Sequence, residues 1–276
     1  MFLDDLKTTY QKNRAKNPAY IRNALKERIQ YYVLHFISQS EWAGRFIFKG
    51  GSCLRLFFDL PRLSEDLDFD IIDPLTFDVD RFIRELKTYF VSTVQCGKIE
   101  IKLANNRRTL YLRFPILRDI GLPISFPESN VIFVRVDVAP TAGPAYSTEI
   151  SIKSTLNFSL LVKRYSLPDL FSGKIAALLT REALEGNIRK ERVKGRDYYD
   201  LIWFLEKNIR PNWKYLSQIT GFTKKEVIDK LGVKIEKVDS SFLRADLDPF
   251  FEDNTFVKPF SQNIKSLYAA YLKNIT

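Results

Sequence analysis

The chain reads as an α/β (α+β) domain of short strands and helices followed by an all-helical C-terminal lobe. Three observations predict it. Helix-period apolar spacing fills roughly the first 38 residues. Between residues 46 and 138, short runs alternate apolar and polar side chains at the strand period. From Pro168 onward the patterns are helical, with no long alternating run.

The elements follow in order. Leu25, Ile29, Tyr32, Val33 and Phe36 recur at helical spacing within residues 1–38. Strand signals occupy 46–48 and 67–72, and a helix fits 80–87. Strands follow at 99–103, 110–114 and 131–138, and Pro140 and Pro144 close that region. A helix beginning near Pro168 carries Leu170, Lys174, Ala177, Leu178 and Arg181 along one side. After a basic loop at 189–196, Asp197 opens another helix, and further helices fit 213–219, 224–231 and 260–272. The expected domains are 1–160, with an N-terminal helical segment, and 161–276, helical.

The richest stretch is Phe48-Lys49-Gly50-Gly51-Ser52, followed twelve residues later by Ser64-Glu65-Asp66-Leu67-Asp68-Phe69-Asp70. It reads as a strand, a tight glycine turn, a helix start, and a strand with carboxylates on alternate residues. Alternation puts Asp66 and Asp68 on one face and Leu67 and Phe69 on the other. The apolar side packs inward, so the carboxylates emerge together and repel unless a cation lies between them. Oxygen ligands suit magnesium, which usually completes its shell with water and substrate phosphates. Gly50 and Gly51 let the backbone turn sharply and approach a ligand. Ser52 is placed to cap the following helix, whose exposed amides favour a triphosphate. Gly-Gly-Ser alone is an ordinary turn, and Asp-x-Asp alone is often a solvated strand edge. Together on consecutive elements, with Arg62 and Ser64 just before the acids, they point to phosphoryl or nucleotidyl transfer. On the strand at 131–138, Arg135 and Asp137 share a face, which makes Asp137 a candidate third carboxylate.

Composition narrows the classes. A chain of 276 residues suffices for one large or two modest cores. No apolar run approaches the ~20 residues that span a bilayer. Asp4 and Asp5 stand where a signal peptide would be basic and apolar, so the expectation is a cytoplasmic protein with no membrane contact. Cys53 and Cys96 form neither a zinc spacing nor a disulfide framework. The single histidine, His35, sits in an apolar helical stretch as a packing residue, which argues against Ser-His-Asp hydrolysis and histidine-rich metal sites. No Walker-type phosphate loop occurs. The net charge of +10 points to a polyanionic partner. Its basic residues are enriched at Lys7, Lys12, Arg14, Lys16, Arg22, Lys26 and Arg28, and again in the run 189–196.

On three motifs the chain resembles the AbiEii/AbiGii toxin family of nucleotidyltransferases, within the DNA polymerase beta-like superfamily. The first is Phe48 to Ser52 with Arg62, Ser64, Asp66, Leu67 and Asp68. The second is Lys174-Ile175-Ala176-Ala177-Leu178 with Arg181. The third is Arg196-Asp197-Tyr198-Tyr199-Asp200-Leu201. The resemblance implies a nucleotidyltransferase domain with a mixed sheet flanked by helices. It implies Mg2+ on Asp66 and Asp68, joined by Asp137 in related folds. The nucleotide would be held by Lys49, Gly50, Gly51, Ser52, Arg62, Ser64, Lys174 and Arg181. Lys174 would serve the triphosphate, and Asp197 would be the second lobe's essential acid or an orienting residue. Asp200 is expected as a buried partner for a basic side chain, and Asp70 as a surface charge. The implied reaction moves an NMP from an NTP to the 3′ end of tRNA, which blocks translation in a type IV toxin–antitoxin or abortive-infection system. A cognate winged-helix antitoxin is implied with it. Two rivals stay open: an enzyme of the same fold that modifies a protein hydroxyl, and a non-catalytic nucleic-acid- or partner-binding module.

Overall fold

The structure, a computed structural model, describes residues 2–124, 130–155, 157–180, 182–185, 188–191 and 194–275, with backbone alone for 182–185 and 188–191. The chain divides into two compact units, Met1–Thr141 with Glu149–Arg164, and Ala142–Thr148 with Tyr165–Thr276.

Helices α1 (Phe2–Asn13) and α2 (Pro18–Ser38) open the first unit. Asn17 caps α2 by accepting from the amides of Ala19 and Tyr20, and Pro18 stands in the first turn, where a missing N–H costs nothing. Leu25, Ile29, Tyr32, Val33 and Phe36 are buried, as their spacing predicts. Then come β1 (Phe46–Lys49), α3 (Gly50–Phe57), β2 (Asp66–Ile71), α4 (Val79–Thr88), β3 (Glu100–Ala104), β4 (Thr109–Phe114), β5 (Ile132–Pro140), β6 (Thr148–Ser154) and β7 (Ser159–Tyr165). Seven strands form one mixed sheet in the order β3-β4-β5-β2-β1-β7-β6. β2 runs parallel to β5 and β1 to β7, while β1–β2, β3–β4 and β4–β5 are antiparallel.

Register gives this sheet two chemically distinct faces. Phe48 lies opposite Phe69, Leu67 opposite Val136, Val136 opposite Leu110, and Val134 opposite Leu112. All of these are buried and form the core side. The intervening residues, Asp66, Asp68 and Asp70 among them, take the other face. Sequence patterning did not find β6 and β7. The apolar residues of β6, Ile150 and Ile152, stay exposed, so the strand carries no buried stripe to announce it.

The second unit contains α5 (Leu167–Thr180), α6 (Gly195–Glu206), α7 (Trp213–Thr220), α8 (Lys224–Lys237), α9 (Ser240–Leu247) and α10 (Val257–Tyr271). A hairpin of β8 (Glu182–Glu185) and β9 (Ile188–Glu191) falls where the sequence reads as loop. α9 was not found from the sequence, although Asp239 caps it by accepting from the Phe242 amide. Phe171 of α5 stacks on Phe204 of α6 with ring centroids 4.3 Å apart. That contact fixes the pitch between the two helices carrying Lys174 and Asp197.

Both cysteines are free and buried, and burial raises each thiol's pKa, so neither is a thiolate nucleophile. Among the described residues no helix is long and apolar enough to cross a membrane.

His35 is a packing residue, as its setting predicts. It is half-buried, its Nδ1 lies 2.8 Å from the Tyr89 hydroxyl, and its ring tilts against Phe158. Burial depresses its pKa, so the unfolded chain binds the proton more readily than the folded one. The stability this neutral ring contributes is fully present above the unfolded value of about 6.5 and is lost as pH falls toward the lower folded value. His35→Gln is therefore expected to shrink the stability difference between pH 7.5 and pH 5.5 seen by urea unfolding. An unchanged difference would show that His35 does not titrate with folding.

Candidate active site

The site begins where β1 ends. Lys49 is extended, Gly50 takes φ +79°, and α3 starts at once. This left-handed turn favours glycine, but space is the stronger demand. A Cβ on Gly50 would lie 2.1 Å from Asp68 Oδ2, and one on Gly51 would lie 2.8 Å from both a terminal nitrogen of Arg62 and the Ser64 hydroxyl. The two glycines are bare so that the motif's own polar groups can lie against the backbone.

Ser52, expected from the sequence to cap α3, does not do so. It sits inside the first turn, buried, and its hydroxyl donates to the Asp66 carbonyl, with Gln30 Oε1 3.4 Å away. The helix starts three residues before its apolar run, at Gly50, which supplies the turn itself. Gln30 of α2 also donates to the Ser64 carbonyl at 3.0 Å, so one buried amide ties α2 to both ends of the motif. Gln30 was missed. Its signal was a polar residue within an apolar helical stretch, Ile29-Gln30-Tyr31. Arg62 and Ser64 are both buried, and Arg62 donates to the Leu63 carbonyl at 2.9 Å. Here the two residues support the turn from beneath.

The acids stand in ordered rows. Lys49, Asp68, Asp137 and Thr109 are partners in register across β1, β2, β5 and β4. Asp66, Arg135 and Tyr111 form the next row. Asp66 and Asp68 are half-buried, while Leu67 and Phe69 behind them are fully buried. Asp70 corrects an expectation: it is 2 % exposed and bonds Lys49 Nζ at 2.5 Å, so it is a buried carboxylate paired with a half-exposed lysine rather than a surface charge. The β1–β2 register puts the Lys49 side chain on the same face, opposite Asp68 and diagonal to Asp70.

Asp137 reaches the acidic face, but its charge is engaged. Arg135 bonds its Oδ2 at 2.6 Å, and the Thr109 hydroxyl donates to Oδ1 at 2.6 Å. Burial is the largest single influence on Arg135 and opposes its charge, but the charge and hydrogen bond of Asp137, together with Asp66 and Tyr111, outweigh it and raise the guanidinium's pKa. Hard carboxylate oxygens at Asp66 and Asp68 suit a divalent cation such as Mg2+. Among the described residues, no three His, Cys, Asp or Glu side chains converge into a ready-made cage. A third carboxylate ligand would require the Arg135–Asp137 pair to open.

The second unit carries its own constellation. Lys174 of α5 bonds Asp200 Oδ2 at 2.8 Å and lies 3.6 Å from Asp197 Oδ1, both acids being on α6. Asp200 is fully buried and Asp197 nearly so. α6 begins at Gly195, so Asp197 stands in the first turn instead of at the cap. There a carboxylate faces the positive end of the helix dipole. Asp200 is thus the buried partner expected for a basic side chain, and that base is Lys174. Arg196 lies over the Phe250 ring at 4.2 Å, with Asp246 at 3.5 Å. Arg181 and Arg192 fall outside the described residues. Among the N-terminal basic residues, Lys26 pairs with Glu65 at 3.0 Å and Arg28 with Asp5 at 2.5 Å, which leaves less unpaired charge there than the sequence suggests.

The family model described as nucleotidyl transferase AbiEii toxin, type IV toxin–antitoxin system, matches residues 32–266. The structure is similar to MenT4, a nucleotidyltransferase toxin from Mycobacterium tuberculosis H37Rv, at 17 % identity and a TM-score of 0.58, covering 98 % of this chain and 90 % of that one. It is also similar to JHP933 from Helicobacter pylori, at 14 % identity and a TM-score of 0.52, covering 92 % and 93 %. At such identities these likenesses speak for the fold. No curated protein sequence matches the chain. The family model spans most of the chain, so the chain belongs to the AbiEii family of nucleotidyltransferase toxins.

Gly50→Ala tests the turn. An L residue held at this positive φ costs about 1–2 kcal/mol, and its methyl group must also push the Asp68 carboxylate aside. The expected outcome is an unfolding free energy, from urea titration, lowered by at least that amount together with loss of nucleotidyl transfer. Wild-type stability and activity would mean the turn does not constrain Asp68.

Proposed function

We propose that this member of the AbiEii family uses Asp66 and Asp68, with Mg2+, to transfer an NMP from an NTP to the 3′ end of tRNA. Family membership brings an NTP substrate and an antitoxin partner. The observation that carries the finer reading is the close approach of the Asp68 carboxylate to Gly50, with Asp66 two residues away on the same face. This puts acidic ligands beside the amides of a helix start, where a metal–triphosphate complex meets both of its needs.

In this reaction the acceptor hydroxyl attacks the α-phosphorus. A new P–O bond forms, the hydroxyl proton passes to solvent, the bond from that phosphorus to the β-phosphate oxygen breaks, and pyrophosphate leaves. A divalent cation, when bound, offsets the negative charge that builds on the phosphate oxygens. The chain's residues do the positioning. Gly50 and Gly51 give the triphosphate access to bare backbone. Arg62, buried under Gly51, adds positive charge beneath the turn. Lys49 is half-exposed on the same face. Lys174 would neutralise the leaving pyrophosphate, and Asp197 and Asp200 hold its ammonium group in one rotamer. Asp137 would complete the acidic set by exchanging Arg135 for the cation, and Arg181 would add a further phosphate contact. The net charge of +10 suits an RNA acceptor, and a winged-helix antitoxin is the partner we expect.

The test offers each labelled NTP to total tRNA, with and without Mg2+, and then digests the product with RNase or protease. Label is expected in RNA, dependent on Mg2+ and lost to RNase. Asp66→Asn, Asp68→Asn and Lys174→Met should each lower transfer by roughly 100-fold or more. Label that survives RNase and yields to protease would mean a protein acceptor, and unaltered transfer by Asp66→Asn would remove the acidic pair from the chemistry.

A further inference from the structure

We propose that β6 is a self-complementary edge through which two copies of this chain pair antiparallel, about a two-fold axis at Ser151. β6 ends the seven-stranded sheet, so its outer backbone groups face away from β7. Its centre reads Glu149-Ile150-Ser151-Ile152-Lys153, a pattern symmetric in polarity and opposite in charge about Ser151. Laid against itself with Ser151 opposite Ser151, the strand puts each Glu149 across from the other copy's Lys153. Each Ile150 then faces the other copy's Ile152. An edge strand usually discourages pairing by its charges, since like charges meet. Here the two-fold match brings unlike charges together.

Side-chain placement supports this. Arg164 of β7 bonds Glu149 at 2.9 Å and the Ser151 hydroxyl at 2.8 Å, so both lie on one face. Alternation then puts Lys153 with them and turns Ile150 and Ile152 to the opposite face. Ile150 and Ile152 are 66 % and 70 % exposed, and Leu161 of β7, on their side, is 47 % exposed. In the pair these apolar side chains would form one continuous strip. Glu149 keeps 54 % of its side chain exposed despite Arg164, which leaves it able to meet a second cation. A single strand pairing covers less than the roughly 1,200 Å2 of a standard interface, so the association is reversible and concentration-dependent.

Sedimentation equilibrium over a concentration series on the full chain, with charge variants, tests this. Wild type should shift from monomer to dimer with concentration. Lys153→Glu and Glu149→Lys should each stay monomeric, because each puts like charges opposite, and an equimolar mixture should regain a heterodimer. Ser151→Cys should form a disulfide-linked dimer under mild oxidation, whereas Ser154→Cys, six residues out of register with its copy, should not. The buried native cysteines add no background. A wild type monomeric to its solubility limit, a dimer indifferent to both charge variants, or equal cross-linking of the two cysteine variants would each overturn the proposal.

Discussion

Asp68 occupies the space that a side chain at position 50 would fill, and the rest of the first unit is arranged so that this can happen. Gly50 must be bare and left-handed, which forces α3 to begin as soon as β1 ends. Ser52 then falls inside the helix, where its hydroxyl holds the Asp66 carbonyl, the first residue of β2. Gln30 reaches from α2 to grip Ser52 and Ser64. One carboxylate against one glycine therefore sets a helix start, a strand start and the seat of a third element.

The polar groups that fix this geometry are buried at a cost. Burying Arg62, Asp70 and Gln30 disfavours folding unless each finds partners, and each does. Apolar residues of similar size would give a more stable sheet but would not hold an acidic row in register. The second unit repeats the logic: Asp200, with no exposure at all, is tolerable only because Lys174 stands 2.8 Å away. A lysine held by two carboxylates loses rotamer freedom, so its ammonium group is fixed in one place.

Much of this could be read from the sequence because it depends on local spacing. Alternation put Asp66 and Asp68 opposite Leu67 and Phe69, and the structure agrees. The glycine turn and the placement of Asp137 on the acidic face were visible for the same reason. What depended on distant partners was not. That Asp70 is buried follows from Lys49 lying across the β1–β2 ladder, which spacing along one strand cannot show. Gln30 and Thr109 act on residues far away in sequence. Ser52 looked like a cap because the apolar run begins at Cys53, whereas the left-handed Gly50 moves the helix start forward. β6 escaped because its isoleucines face outward, and patterning finds strands only through the face they bury.

If the carboxylates at 66 and 68 form a divalent-cation site preset by the glycine turn, that site binds metal before any nucleotide arrives. Titration of the full chain with Mn2+, followed by electron paramagnetic resonance without nucleotide or RNA, measures this directly. Binding should be saturable and weaken by at least about tenfold in Asp66→Asn and in Asp68→Asn, with the fold retained by circular dichroism. Equal Mn2+ binding by the wild type and both variants would contradict it.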